Sequence, residues 1–306
     1  MKTSVGTKII LGIIFIASVG FLAGCSQLKN DQMPTVPTLS VHGDGFANPT
    51  SANFHGDVIR NQNWDMTNCK FCHGPTYAGG TAQKSCLTCH THTNGPEACN
   101  TCHGDFSASP DSIGVWAPPR DVNGDTLTSA RGVGAHQEHL KAMIGKAVKC
   151  QECHNVPSQV YAPGHLDGGL PARVVLGDTL ANLVTASGKY IPHPSYDPGA
   201  LTCNNTYCHG NWQVTKASAS PDKQYIYTDS VITGNNYSPK WTGGAAEAAC
   251  GTCHGLPPKG HIQGLDLTTC GNSGCHPGVV DENGNIMDAT KHINGKIDVK
   301  FTERNF

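Results

Sequence analysis

The chain has 306 residues, of which 38% are hydrophobic and only 7% aromatic, with 36 glycines and 19 prolines. A globular chain of this length ordinarily buries a larger aromatic and aliphatic core, so side chains alone do not account for an interior. The formal charge is −2 and no basic stripe is present, which leaves no electrostatic footprint for nucleic acid.

The N-terminus opens with Lys2 and Lys8, then an apolar run from Ile9 to Phe21, then Leu22-Ala23-Gly24-Cys25. The run is too short for a comfortable membrane span and has the layout of a signal peptide. A small-residue cleavage site ending in cysteine resembles a bacterial lipobox. Residues 1–24 are therefore expected to be a lipoprotein signal peptide, with Cys25 as the lipidated first residue; the competing reading is a retained anchor helix. Ser26, with no aspartate in that position, resembles an outer-membrane sorting pattern. Several acyl chains give stable anchoring, at about 0.8 kcal/mol per buried methylene. Residues 25–40 are polar, contain Pro34 and Pro37, and read as a tether.

Seven cysteine pairs follow, each with a histidine directly after the second cysteine. Three crowd together: Cys69/Cys72-His73, Cys86/Cys89-His90 and Cys99/Cys102-His103. A turn-rich passage with Pro110, Pro118, Pro119 and Asp121-Val122-Asn123-Gly124-Asp125 separates them from the rest. Then come Cys150/Cys153-His154, Cys203/Cys208-His209, Cys250/Cys253-His254 and Cys270/Cys275-His276. This spacing suggests a three-haem module over 41–120 and a four-haem module over 121–306.

CxxCH reads as c-type haem attachment: the thiols form thioethers with the porphyrin vinyl groups and the histidine is the proximal iron ligand. A disulfide framework or zinc sites would explain paired cysteines but not the fixed histidine. With 16 histidines in 306 residues, chance places one after a given cysteine about once in nineteen, so seven coincidences come to on the order of 10⁻⁹. Two motifs have four intervening residues, Asn204-Asn205-Thr206-Tyr207 and Gly271-Asn272-Ser273-Gly274. The extra residues must bulge, and Asn, Gly and Ser tolerate the tight turns this needs. The competing reading there is a disulfide or reactive dithiol beside an incidental histidine.

Regular structure is sparse. Val174–Val184 and Tyr225–Ile232 read as short strands, and Ala135–Ala147 as a helix ending before the fourth motif. The expected fold is mostly irregular, a haem-packed multihaem cytochrome c with short helices and a few short strands. After cleavage about 282 residues remain, roughly 40 per haem, so seven covalently attached haem c groups must supply most of the buried apolar surface. The attachments act as staples, and the haem-free chain is expected to be largely unfolded. Loss of Lys2 and Lys8 leaves 19 basic against 23 acidic side chains, and seven oxidised haems with ionised propionates bring the charge to roughly −11.

Nine histidines lie outside the motifs: His42, His55, His92, His136, His139, His165, His193, His261 and His292. Seven irons with histidine on both faces need seven of them. Met33, Met66, Met143 and Met287 sit in no persuasive context as alternatives. Two histidines per iron give closed, low-potential sites, whereas methionine raises the potential. His136 and His139 are spaced to share one helix face and serve two neighbouring haems. His165 and His261 each follow a glycine, Gly164 and Gly260, which permits close approach of backbone to a haem face.

His136-Gln137-Glu138-His139-Leu140, the Cys150 motif, Val156-Pro157 and Gly164-His165-Leu166-Asp167-Gly168 together resemble a known family. It is that of the multihaem c-type cytochrome lipoproteins with mixed CxxxxCH and CxxCH motifs, found in dissimilatory metal-respiring bacteria. Cys253-His254-Gly255-Leu256-Pro257-Pro258-Lys259-Gly260-His261, His292-Ile293-Asn294-Gly295 and Phe54-His55-Gly56 are similar to it as well. The likeness covers most of residues 40–306. It implies a cell-surface electron carrier for respiration on external acceptors, with other cytochromes or terminal acceptors as partners and the membrane reached through the lipid anchor. It adds His55, His92 and His292 to His136, His139, His165 and His261 as distal ligands, with His42 and His193 in reserve. Two other classes compete. A multihaem reductase needs an open iron, often marked by lysine in place of the proximal histidine, and no such motif occurs. A filament subunit or outer-membrane conduit would be marked by exposed end haems. An electron carrier without catalytic residues is the expected function.

Overall fold

With so many glycines and prolines, few stretches hold helical or extended dihedrals for long. The computed structural model describes residues 41–108, 113–176, 180–187, 190–271, 275–300 and 302–306. The segments expected as signal peptide and tether, with Cys25 between them, and Pro110 and Asn272-Ser273-Gly274 lie outside these described residues. Among the described residues the helices are α1 (His55–Asn61), α2 (Lys70–His73), α3 (Cys99–Cys102), α4 (His136–Leu140) and α5 (Leu267–Cys270). The strands are β1 (Ser195–Asp197), β2 (Thr202–Asn204), β3 (Gln213–Thr215), β4 (Val231–Thr233), β5 (Lys296–Val299) and β6 (Thr302–Asn305). Single 3₁₀ turns fill many of the connections. The mostly irregular fold with short helices and short strands is what the composition called for.

The strands pair antiparallel as three separate hairpins, β1 with β2, β3 with β4 and β5 with β6. An isolated two-stranded hairpin is marginal in water, so these serve as clamps on functional segments more than as a core. β1–β2 aligns Tyr196 with Cys203. Bridges Thr233↔Lys259 and Tyr227↔His261 zip the segment carrying His261 onto β4 and the turn before it. Lys300, just after β5, donates its amide to the Cys275 carbonyl at 2.8 Å.

Two compact units divide the chain between Val58 and Ile59. In the described part of the first, His42 stacks on Phe46 (centroids 4.0 Å apart, planes 9° apart) and His55 packs among Phe46 and Phe54. In the second, a half-buried knot ties the first motifs to a distant loop. Lys70 pairs with Glu97 at 2.8 Å and lies over the rings of Tyr77 and Tyr161, while Tyr77 donates its hydroxyl to Glu97 at 2.7 Å.

Three local expectations differ from the structure. Ala135–Ala147 holds only the helix α4, because Ala142 adopts a left-handed φ of +50° and turns the chain back. The reversal lets Lys146 donate to the His292 carbonyl and Val148 to the His139 carbonyl, at 2.9 and 3.0 Å. Tyr225–Ile232 begins inside a 3₁₀ turn launched at Pro221, and only its end enters β4. No strand forms among the described residues of Val174–Val184; the Val175 amide bonds the Cys153 carbonyl instead.

The side-chain core is thin. Buried apolar residues include Met66, Tyr77, Val133, Tyr207 and Ile232, and one of the two most deeply buried side chains is Asn100. Large apolar groups meanwhile lie open beside the motifs: Phe71, between Cys69 and Cys72, is 83% exposed, and Leu87, Val156, Val175 and Leu256 are exposed as well. Burial of this surface is worth about 25 cal/mol per Å², so it calls for a large apolar partner at these motifs.

Candidate haem sites

Four of the five short motifs lie on single helical turns: Cys69 leads into α2, Cys99 and Cys102 bound α3, and 3₁₀ turns cover Cys86–Thr88 and Cys150–Glu152, while Cys250–His254 is an irregular turn. Residues three apart on a helical turn share a side, so the two thiols of a motif face one way. The turn closes when the histidine amide donates to the first cysteine's carbonyl, 3.0 Å for His90 to Cys86 and 2.9 Å for His154 to Cys150. The long motif at Cys270 makes the same closure: the His276 amide bonds the Cys270 carbonyl at 2.9 Å, across two additional residues. At Cys203 the solution differs. Cys203 sits on β2, Asn205 takes a left-handed φ of +55°, and Thr206 and Tyr207 turn inward as core. The insertion is thus a bulge that leaves Tyr207–His209 on its own 3₁₀ turn.

The motif cysteines differ in how far the chain covers them. Cys89 is exposed, as are Cys72, Cys99 and Cys250, while the other ten are partly covered. Cys89 caps the 3₁₀ turn Cys86–Thr88 with its amide on the Cys86 carbonyl at 3.2 Å, as Cys153 does at Cys150, so its exposure comes from where the turn lies, at the surface with Leu87 open beside it. Cys86 and Cys89 therefore present an accessible pair of thiols, which thioether formation with a vinyl group requires, but the polypeptide does not wall them in.

All fourteen described cysteines are unpaired. Burial pushes the Cys153 thiol up to about 12 and the Cys203 thiol up to about 11, and raises Cys208 as well. A reactive dithiol needs the opposite, a lowered pKa in an electropositive setting. The arrangement disfavours that reading of the Cys203/Cys208 pair.

The imidazoles share one device. Nδ1 meets a backbone carbonyl in five motif histidines, His73, His103, His154, His254 and His276. It does so in six others, His55, His136, His139, His165, His261 and His292. A carbonyl oxygen only accepts, so Nδ1 carries the proton and Nε2 holds the lone pair, as a metal ligand must. His92 is bonded the other way round: its Nε2 donates to the Phe106 carbonyl at 3.2 Å. His90 packs edge-on against the same Phe106 ring, with centroids 5.3 Å apart.

Three pairs of rings face one another. His136 and His154 have centroids 6.1 Å apart, His139 and His209 6.1 Å, and His254 and His292 6.2 Å. A metal–imidazole bond of about 2 Å, plus roughly 1.1 Å from nitrogen to ring centre, doubled across one iron, gives about 6.2 Å. Each pair joins a motif histidine to a histidine outside the motifs. His103 is also an electrostatic neighbour of His165, and His276 of His261. Burial pulls His136 and His209 down to about 4, and lowers His103, His276 and His292, which keeps these rings in the neutral, ligating form.

The residues fit a covalently held porphyrin iron. Two imidazoles face each other, two thiols lie beside one of them, and apolar side chains stand open nearby. Among the described residues no cluster of three or more His, Cys, Asp or Glu is arranged to hold a metal ion, whereas zinc takes four such ligands. Space is available as well. Gly164, before His165, has φ +86° and no atom within 4 Å of where a Cβ would stand. Leu180, Leu183, Val184, Gly295 and Phe306 line an open cavity of 580 Å³. His193, at φ +54°, is exposed and engages none of these pairs.

The sequence gives no role to Trp241 or Phe106, the aromatic groups that lie against the motif and partner histidines, and places Tyr207 only in a bulge. Trp241 stands 4.8 Å from His136 and 5.8 Å from His139 by ring centres. The available signal was rarity, since the chain has only 4 tryptophans.

Residues 202–254, which hold the Cys203/Cys208-His209 and Cys250/Cys253-His254 motifs, match the family model described as Geobacter CxxxxCH...CXXCH motif. No curated protein and no solved structure matches the chain.

Proposed function

We propose that this chain, a multihaem c-type cytochrome of the CxxxxCH…CxxCH motif family, is a seven-haem electron carrier anchored to the bacterial outer membrane through a lipid on Cys25. Its role is to pass electrons to other cytochromes or to terminal acceptors outside the cell, as in respiration on metal oxides. The observation that carries the reading is the facing of histidines in pairs at the separation one iron requires. In this reading His154 pairs with His136, His209 with His139, His254 with His292, His103 with His165 and His276 with His261. His55 and His92 are the remaining distal candidates.

Bound haem c supplies a one-electron iron couple. The chain's part is to hold both axial positions with neutral imidazole, to aim eleven of the rings through a carbonyl on Nδ1, and to keep substrate off the metal. Nδ1 hydrogen bonds raise ligand basicity and so favour the ferric state and low potentials. A holoprotein charge of roughly −11 suits basic or metal-bearing partners. The three-haem and four-haem modules, 41–120 and 121–306, belong to this proposal.

The denatured mass of the purified holoprotein counts covalent haems and reports the N-terminal lipid together. Seven haems and a uniformly low-spin oxidised spectrum are expected. A mass with five haems would remove the two long motifs from the set. A high-spin fraction that binds nitrite would favour the reductase reading. The Cys86/Cys89-His90 site is where to seek it, because His92 must turn its ring away from the Phe106 carbonyl before its Nε2 can serve any iron.

A further inference from the structure

Helix α4 is a single turn, yet it presents two imidazoles that face different partners: His136 lies against His154 and His139 against His209. Trp241 fills the angle between them. Its indole is edge-on to His136, at 4.8 Å and 88°, and near-parallel to His139, at 5.8 Å and 30°. The indole is held from both sides. Nε1 donates to the Arg131 carbonyl at 2.9 Å, just before α4. The Trp241 amide donates to the Leu201 carbonyl at 2.7 Å, and its neighbour Lys240 bridges Thr202, next to Cys203. Gly134 allows the approach: a Cβ there would overlap the indole ring.

We propose that the haems attached at Cys150/Cys153 and at Cys203/Cys208 are neighbours in the relay, and that Trp241 is the positioning residue that orients both of their distal imidazoles. The inference rests on the electron-carrier reading above, in which His136 and His139 are those ligands. A carbonyl bond to Nδ1, from Val133 for His136 and Ala135 for His139, fixes one point of each ring. Rotation about that point is left to packing, and the indole is the flat surface both rings touch. The two axial pairs are set differently, with planes 23° apart for His136/His154 and 77° apart for His139/His209. The angle between axial ligand planes sets the splitting of the iron d orbitals, so the two haems have distinct low-spin resonance signals.

The test uses oxidised holoprotein carrying Trp241→Leu, Trp241→Phe or Gly134→Ala, with resonance spectra and a stepwise redox titration. Trp241→Leu and Gly134→Ala are expected to shift two low-spin signals, one from a near-parallel and one from a near-perpendicular pair, and the two matching potentials. Trp241→Phe, which keeps a flat ring, should return those signals toward their native positions. An unmodified holoprotein that is not low-spin sinks the electron-carrier reading before any variant is compared. If it is low-spin, unmoved signals in both Trp241→Leu and Gly134→Ala, or shifts spread over more than two haems, overturn the inference alone. Where Trp241→Leu fails to load fully, haem loss confined to the Cys150 and Cys203 peptides supports it, and loss spread over all motifs counts against it.

Discussion

Replacing Gly260 by alanine tests whether backbone geometry places His261. Gly260 has φ +84°, and a Cβ there would overlap the Val231 carbonyl oxygen. The left-handed conformation alone costs alanine about 1–2 kcal/mol. The overlap must open by more than about 1 Å before atoms reach ordinary contact near 3.5 Å. The segment has no slack for that movement: Thr228 donates to the Gly260 carbonyl at 2.9 Å, Thr233 to Lys259 at 3.0 Å, and Ile262 to Ile226 at 2.7 Å. Losing the first two bonds, at about 0.5–1.5 kcal/mol each, brings the total to about 2–5 kcal/mol. Guanidinium unfolding of holoprotein should show that loss, and the haem whose distal ligand is His261 should become partly high-spin. Gly264→Ala is the control, because φ is +78° there but no atom lies within 4 Å. It should lose only about 1–2 kcal/mol and keep its spin state. Equal losses in the two variants, or a Gly260→Ala protein that is fully low-spin and as stable as the parent, would refute the reasoning.

His139→Ala should convert one haem to high-spin, with added imidazole restoring the low-spin spectrum; a spectrum that never changed would remove His139 from the ligand set. Acid stability should fall below about pH 4. Asp266, Asp281 and Asp288 accept turn hydrogen bonds that hold their carboxyls below the ordinary 3.8, so their stabilisation is complete above 3.8 and is lost as pH falls through the lower folded values. A denaturation midpoint of the holoprotein, followed by circular dichroism, that stayed flat to about pH 2 would contradict this. Cys25→Ala should release or misprocess the protein without altering its haem spectrum, as read by membrane fractionation; unchanged membrane association with an uncleaved N-terminus would point to a retained helix.

The attachment motifs were legible because covalent chemistry ties thiol, thiol and imidazole to a short stretch, and chance cannot mimic seven repeats. The use of Asn205 as a left-handed residue followed from its type. How far each motif is enclosed was not legible: Cys89 and Cys153 occupy the same place in identical spacings, yet one thiol is exposed and the other buried enough to be raised to about 12. The length of α4 was hidden too. Its end at Ala142 depends on a bond from Lys146 to His292, far along the chain, and alanine by itself favours continuing the helix. Trp241 was hidden for the same reason, since its indole is anchored on Arg131, 110 residues away. The composition of the long motifs implies loops that bulge outward. At Cys203 the extra residues instead turn inward, because Tyr207 packs edge-on against Phe306 at the end of the chain. Local composition signals a turn but not which side of it is buried.

The same separation of roles explains how so thin a core aims so many ligands. In an ordinary haem pocket, packed side chains can hold an imidazole in place. Here the deepest side chains are Val133 and Asn100, and large apolar groups beside the motifs are open until a cofactor covers them. Orientation has therefore passed to the main chain, through carbonyls such as Lys84 for His73, Val160 for His165 and Asp298 for His276. Backbone acceptors carry no charge that varies from site to site, unlike a carboxylate on Nδ1. In a bis-histidine set tuned this way, differences in potential among the haems come mainly from burial and from neighbouring charge. Burial lowers His136 and His209 furthest among the imidazoles, and both belong to the adjacent pairs that Trp241 joins. Burial disfavours the net positive ferric site relative to the ferrous one, so enclosure at those two haems should raise their potentials, as a stepwise redox titration would read.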